Sequence, residues 1–234
     1  MRVASSALAA AYDEIWSHGR DALMNDRVAP DPLPHEGGMR WGISAVFRPV
    51  EWSSSFADCQ HELTKLLGPG HIVYGPESLH VTLQQFEGFR DDVTDDDLVV
   101  RIYAEALRGM AKHWMPVTVA LQGLTASPAG VLVQGWPPAD LQTSRADLHA
   151  RVEASGLPMR GPEADRTRLR RTAHASLAIY GGPVDRADDL VAFIEDRRET
   201  DFGEQRFDRV WLVGYRRAHD AVELIEYDAF PLKG

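Results

Sequence analysis

The chain has 234 residues, 44% of them hydrophobic, and a formal net charge of −10, which is enough to bury a proper core in one large domain or two small ones. That acidic balance excludes a protein gripping long duplex nucleic acid by its phosphates, because such binding is mostly counterion release to Lys and Arg; a small anion in a locally basic cleft stays open. No apolar run approaches the roughly 20 residues of a membrane-spanning helix, and the single cysteine, Cys59, cannot make an internal disulfide, so the expected setting is reducing and cytoplasmic.

The opening "MRVASSALAAAY" has too short and too Ser-rich an apolar stretch for a signal peptide and reads as mature protein. Residues 5–24 place Leu8, Tyr12, Ile15, Trp16 and Leu23 on one helical face. "VAPDPLPHEGG" then breaks the pattern with three prolines and two glycines, so residues 1–38 are expected to be an N-terminal helix and linker attached to a main domain of residues 39–234.

Within that domain the periods alternate. "RWGISAVFRPV" reads as a strand and "SSSFADCQHELTKLLG" as a helix with a Ser cap and Gly68 as its terminator. "HIVY" and "LHVTLQQF" are short strands, and "TDDDLVVRIYAEALRGMAKHW" is a helix with Thr94 as its expected N-cap. Strands are predicted at 116–124 and 131–136, a helix near 138–155, the strand "TAHASLAIY" after the Arg-rich "RGPEADRTRLRR", and a helix over "DRADDLVAFIEDRR". "RVWLVGY" and "AVELIEYDAF" close the chain as two strands. Several connections are too short for parallel crossovers, which favours an α+β domain with largely antiparallel sheet.

Two of these strands repeat one pattern. In "LHVTL" and "AHASL" a histidine is followed at i+2 by a hydroxyl, so His80 with Thr82, and His174 with Ser176, project from one face while the apolar residues project from the other. A single such strand is usually a histidine with its hydrogen bonds satisfied. Two strand-patterned copies are expected by chance well below about 0.01 times, and none of the other seven histidines has a hydroxyl at i+2. In-line displacement at a phosphodiester needs a base on the attacking oxygen and an acid on the leaving oxygen. Two facing imidazoles supply both near neutral pH; Thr82 and Ser176 would donate to the non-bridging oxygens as charge develops. No metal or cofactor is required.

The pair "HVTL" and "HASL", with "PES" before the first and "QFEG" after it, resembles the signature of the 2H phosphoesterase superfamily, which contains 2′-5′ RNA ligase-like proteins and 2′,3′-cyclic phosphodiesterases. The resemblance covers approximately residues 39–230. It implies two pseudo-symmetric α+β lobes around a central cleft, one motif from each, and metal-independent opening of cyclic phosphates or cleavage of 2′-5′-type linkages, with His80, Thr82, His174 and Ser176 as the catalytic set. Ala175 is smaller than the usual residue there, the basic residue that often follows the second motif is absent, and the N-terminal helix is additional.

Other candidates are weaker. Arg168, Arg170 and Arg171 could clamp a phosphate, but on an extended strand Arg170 lies about 13 Å from His174, and a solvated loop is the expectation. Tyr74, Trp136, Tyr215 and Arg216 could reach a cleft rim, with packing as the default. Phe86 and Tyr180, at matching offsets from the histidines, are expected in the core. No His, Cys or carboxylate cluster has metal-ligand spacing, and neither GxxxxGK[ST] nor GxGxxG occurs. The reading is a monomeric phosphodiesterase acting on a nucleotide or short RNA-type substrate. Its rivals are a nucleotide- or RNA-binding module without efficient turnover, and a biosynthetic or defence phosphoesterase acting on an unusual nucleotide.

Overall fold

Short, β-branched strands separated by amphipathic helices fold here as a computed structural model describing residues 6–30, 39–49, 51–88, 93–94, 96–138, 141–157, 159, 169–218 and 221–233. The elements are α1 (Ser6–Met24), β1 (Met39–Phe47), α2 (Ser54–Leu67), β2 (Ile72–Val73), β3 (Val81–Gln85), α3 (Leu98–Ala111), β4 (Val117–Ser127), β5 (Gly130–Trp136), α4 (Leu141–Ala154), β6 (Ala175–Ile179), α5 (Ala187–Asp196), β7 (Asp201–Phe207), β8 (Arg209–Ala218) and β9 (Ala221–Pro231). No helix among the described residues is long and apolar enough to cross a membrane.

The strands form one antiparallel sheet, ordered β7-β4-β5-β6-β3-β1-β8-β9 with β2 beside β6, curled into a half-barrel. Its two halves, β7-β4-β5-β6 and β3-β1-β8-β9, meet where β6 abuts β3 at a single register pair, Val81 with Ala175. The two halves follow similar chain orders, β1, α2, β3, α3 and β5, α4, β6, α5, with β2 inserted between α2 and β3 in the first. The two expected lobes are therefore halves of one continuous sheet. The residues facing away from the cleft, including Leu79, Val81, Leu83, Ala173, Ala175 and Leu177, are buried in a common core.

Three local outcomes differ from the sequence reading. Helix α3 begins at Leu98 rather than near Thr94, because the Asp97 carboxylate accepts from the Val99 N–H and serves as the N-cap. Strand β7 falls where the pattern predicts none: in "DFGEQRF" only Phe202 and Phe207 are buried, with charged residues and a glycine between, the weak alternation of a strand at a sheet edge. Strands β3 and β6 each start one residue after their histidines.

Helix α1 packs on the sheet. Gly19 lies against β4, where a Cβ would run into the Ala126 carbonyl. Buried Tyr12 stacks edge-on against Trp136 with ring centroids 5.2 Å apart. Ion pairs Arg20–Glu195 and Arg198–Asp13, both at 3.0 Å, fasten the outer face of α1. Both pairs are largely exposed and each contributes little.

Candidate active site

The junction of β3 and β6 places the two motifs together. With Val81 opposite Ala175 in an antiparallel pair, the same register extended by one residue sets His80 opposite Ser176 and Thr82 opposite His174. The two histidines thus stand one residue before the rung that joins β3 and β6, one contributed by each half of the sheet. All four side chains line one cavity of about 280 Å³.

Both strands carry a bulge at the same place. Val46 faces Thr82 and Ala45 faces Gln84, leaving Leu83 as the extra residue; Leu132 faces Ser176 and Val131 faces Ala178, leaving Leu177 as its counterpart. A bulge shifts the side-chain phase by one, so alternation from His80 fails beyond Thr82, and on the other strand Ile179 joins Ala178 in the lining. Gln85, paired with Ser44, lines the cavity on one side, and Ile179, paired with Gly130, lines it on the other. Sequence reasoning missed Gln85 because an unbroken strand would have aimed Gln84 at the cleft instead.

Hydrogen bonds fix both imidazoles in one tautomer. His80 Nδ1 lies 2.7 Å from the Ser78 carbonyl, which can only accept, so Nδ1 carries the proton and Nε2 presents its lone pair to the Tyr215 hydroxyl at 3.3 Å. An arginine can only donate, so the Arg170 Nη1 contact with His174 Nε2 at 3.1 Å makes that nitrogen the acceptor, and His174 Nδ1–H donates to Thr172 Oγ1 at 2.9 Å. Burial, followed by the charges of Arg170 and Arg48, outweighs the Ser78 hydrogen bond and lowers the His80 pKa to about 4. Burial, then Arg170, Arg145 and His80, holds His174 well below the ordinary histidine value. Both rings are neutral at pH 7.

Beneath the motifs lies Arg145 of α4, fully buried. Its Nε donates to Leu83 O at 2.8 Å, Nη1 to Arg170 O at 2.6 Å, and Nη2 to Thr82 O at 3.1 Å and Thr172 O at 2.8 Å. One guanidinium thus ties carbonyls from both halves. It was missed as part of an ordinary helix, although Leu141, Arg145, Leu148 and Val152 share the buried stripe of α4 and a charge on that stripe was the available signal. From above, the Tyr12 hydroxyl meets both Gly135 N and Gly135 O at 2.9 Å and accepts from Ala173 N at 3.3 Å. Burial, countered by those backbone bonds, pushes its pKa up to about 12. A side chain at Gly135 would strike the Ala173 carbonyl, so β5 can approach the residue before His174 only as glycine.

Of the phosphate-clamp candidates, Arg170 reaches His174, which corrects the solvated-loop expectation. Residues 169–174 precede β6, so the 13 Å strand spacing does not apply. Arg171 is exposed and outside the cavity lining, and Arg168 lies outside the described residues. Tyr74 lines the cavity and packs edge-on to His80 with ring centroids 6.2 Å apart, and Tyr215 joins it from the opposite half. Phe86 and Tyr180 are buried. Among the described residues no group of three or more His, Cys, Asp and Glu is placed to hold a metal ion.

The sequence matches no protein-family model and no curated protein. The structure is similar to TT0787 of Thermus thermophilus, with a TM-score of 0.56 and 17% identity over 82% of this chain and 98% of that one. It is also similar to E. coli LigT complexed with 3′-AMP, with a TM-score of 0.52 and 13% identity over 83% of this chain and 99% of that one. At these identities the likeness shows a shared α+β fold.

Proposed function

We propose that the chain is a 2H phosphoesterase that opens a 2′,3′-cyclic phosphate, or cleaves a 2′-5′-type linkage, in a nucleotide or short oligonucleotide. The observation that carries this reading is the junction itself: both histidines and both hydroxyls line one cavity where the two halves of the sheet meet, with Arg170 beside them. The shared fold with LigT, seen there with 3′-AMP, supports a nucleotide ligand.

We assign the base role to His174 from its contact with Arg170, where His80 Nε2 instead faces the Tyr215 hydroxyl. Arg170 donates to the His174 Nε2 lone pair, and burial, then Arg170 and Arg145, hold this ring neutral, the state of a general base. An arriving phosphodiester anion draws Arg170 onto its non-bridging oxygens and frees Nε2, which takes a proton from the attacking water. Thr82 and Ser176 donate to the same oxygens as charge builds. His80, protonated as the anion replaces the repulsion of Arg170, gives its proton to the leaving oxygen as the P–O bond breaks. For a cyclic phosphate the resemblance to the 2H superfamily favours loss of the 3′-oxygen, leaving a 2′-phosphate monoester. A product assay over cyclic and 2′-5′-linked substrates, with chelator present, tests this; a 3′-phosphate product or no turnover overturns it.

The pH dependence follows from the depressed pKa values. The productive free enzyme carries one proton on the histidine pair, and that form grows as pH falls from 7 towards about 4, where His80 titrates. Accordingly, kcat/KM for a cyclic phosphate rises on acidification from pH 7, and falls only when the second proton is added. Replacing Arg170 by Gln removes a charge that lowers both rings, so the profile moves to higher pH while KM increases. A profile centred at 7 in the wild type, or unmoved in Arg170→Gln, would contradict the assignment.

A further inference from the structure

The matching bulges make the two arms of the cleft comparable position by position, and they are chemically unequal. Beyond His80 and Thr82 the first arm ends in Gln85 with Ser44 beside it. Beyond His174 and Ser176 the equivalent positions are Ile179 with Gly130 beside it, continued by Leu132 and Ala178. Ser127 also borders this second arm, but its hydroxyl is engaged at the turn, accepting from Ala129 N at 3.2 Å and lying 3.5 Å from Gly130 O. Over the same arm comes Ile15 of α1, partly exposed and in the cavity lining. Its position is fixed from both sides along the helix: Tyr12 is bonded to Gly135 and Ala173, and Gly19 is seated against Ala126.

We infer that α1 completes an apolar subsite on the His174 arm, with Ile15 as the specificity-determining side chain, and that this subsite takes a flat apolar ring carried by the phosphodiester, a nucleobase read by shape rather than by its hydrogen-bonding edge. The inference deepens the proposed reaction and rests on it for the identity of the substrate. Its physical basis is the contrast between arms: an apolar wall of Ile15, Leu132, Ala178 and Ile179 holds a ring face by excluding water, and offers little to distinguish one base edge from another. The Gln85–Ser44 arm is left to the polar end of the substrate.

The test compares the 2′,3′-cyclic phosphates of adenosine, guanosine, cytidine and uridine with ribose 2,3-cyclic phosphate, which lacks a base. Wild-type kcat/KM is expected to favour every nucleotide over the base-free sugar by about tenfold or more, with the four bases within about threefold of one another, the pattern of an apolar contact without edge readout. In Ile15→Asp the nucleotide-to-sugar ratio falls towards one, whereas Ile15→Leu retains it. A ratio near one in wild type, or a ratio unchanged in Ile15→Asp, overturns the subsite. If no substrate is turned over, the reaction proposal fails and titration calorimetry decides the subsite separately: adenosine 2′-phosphate must bind wild type about tenfold more tightly than ribose 2-phosphate, and Ile15→Asp must abolish the difference. Equal binding of the two ligands refutes it.

Discussion

Replacing His80 or His174 by Ala lowers kcat/KM for a 2′,3′-cyclic nucleotide by roughly a hundred- to ten-thousandfold, the range that a positioned acid or base contributes. The two rings act on one displacement, one accepting a proton as the other gives one up, so their losses do not add. The double variant is expected to be little worse than the more damaged single. The singles also separate by pH. Without His174 the surviving rate increases with hydroxide, because the water must ionise unaided; without His80 it gains with substrates whose leaving group has a low pKa. Circular dichroism and denaturant midpoints establish that each variant is folded. Turnover close to wild type in either single would reject the two-histidine mechanism.

Arg145 carries the largest expected effect on stability. Replacing it with Met strands four carbonyl acceptors, those of Thr82, Leu83, Arg170 and Thr172, in an interior where each lost bond to a charged donor counts for about 1.5–3 kcal/mol. The net loss is expected at about 3–5 kcal/mol, the usual cost of breaking a buried charged network on one side, and is read from the shift in urea midpoint. Arg145→Lys keeps the charge but lacks the fork that reaches both strands. It should be intermediate in stability, with kcat reduced more than KM, because the backbones carrying the two motifs lose their tie. The pH profile distinguishes positioning from folding: Arg145 also lowers the His174 pKa, so Lys preserves the profile while Met moves it to higher pH. A Met variant as stable as wild type would show that the four bonds are matched by water in the unfolded chain.

Periodicity revealed the elements with strong patterns, among them the α2 helix ending at Gly68, the β4–β5 pair and the final β8–β9 hairpin, because their apolar faces repeat at 3.6 or 2 residues. The histidine–hydroxyl pairs were legible for the same reason, since i and i+2 share a face in any strand. What failed depended on tertiary partners, and Arg145 alone left a local trace, a charge on the buried stripe of its helix. The bulges at Leu83 and Leu177 depend on the partner strands, and they bring Gln85 rather than Gln84, and Ile179 together with Ala178, to the cleft. An extended strand separates Arg170 from His174, whereas the irregular approach to β6 brings the two side chains into contact. Arg145 was hidden by its charge: propensity places arginine on a helix surface, and only tertiary contacts show four carbonyls awaiting it inside. Tyr12 falls on the apolar face of the first helix, yet nothing in the sequence ties its hydroxyl to the peptide beside His174.

One rung, Val81 with Ala175, is all that β3 and β6 share, whereas β8 and β9 are zipped along their whole length. The sheet is thus thinnest along the line where the imidazoles stand. Arg145, bonded to carbonyls on both sides of this seam, supplies the cross-links that the ladder lacks there, so the spacing of the two rings depends on one buried side chain more than on backbone pairing.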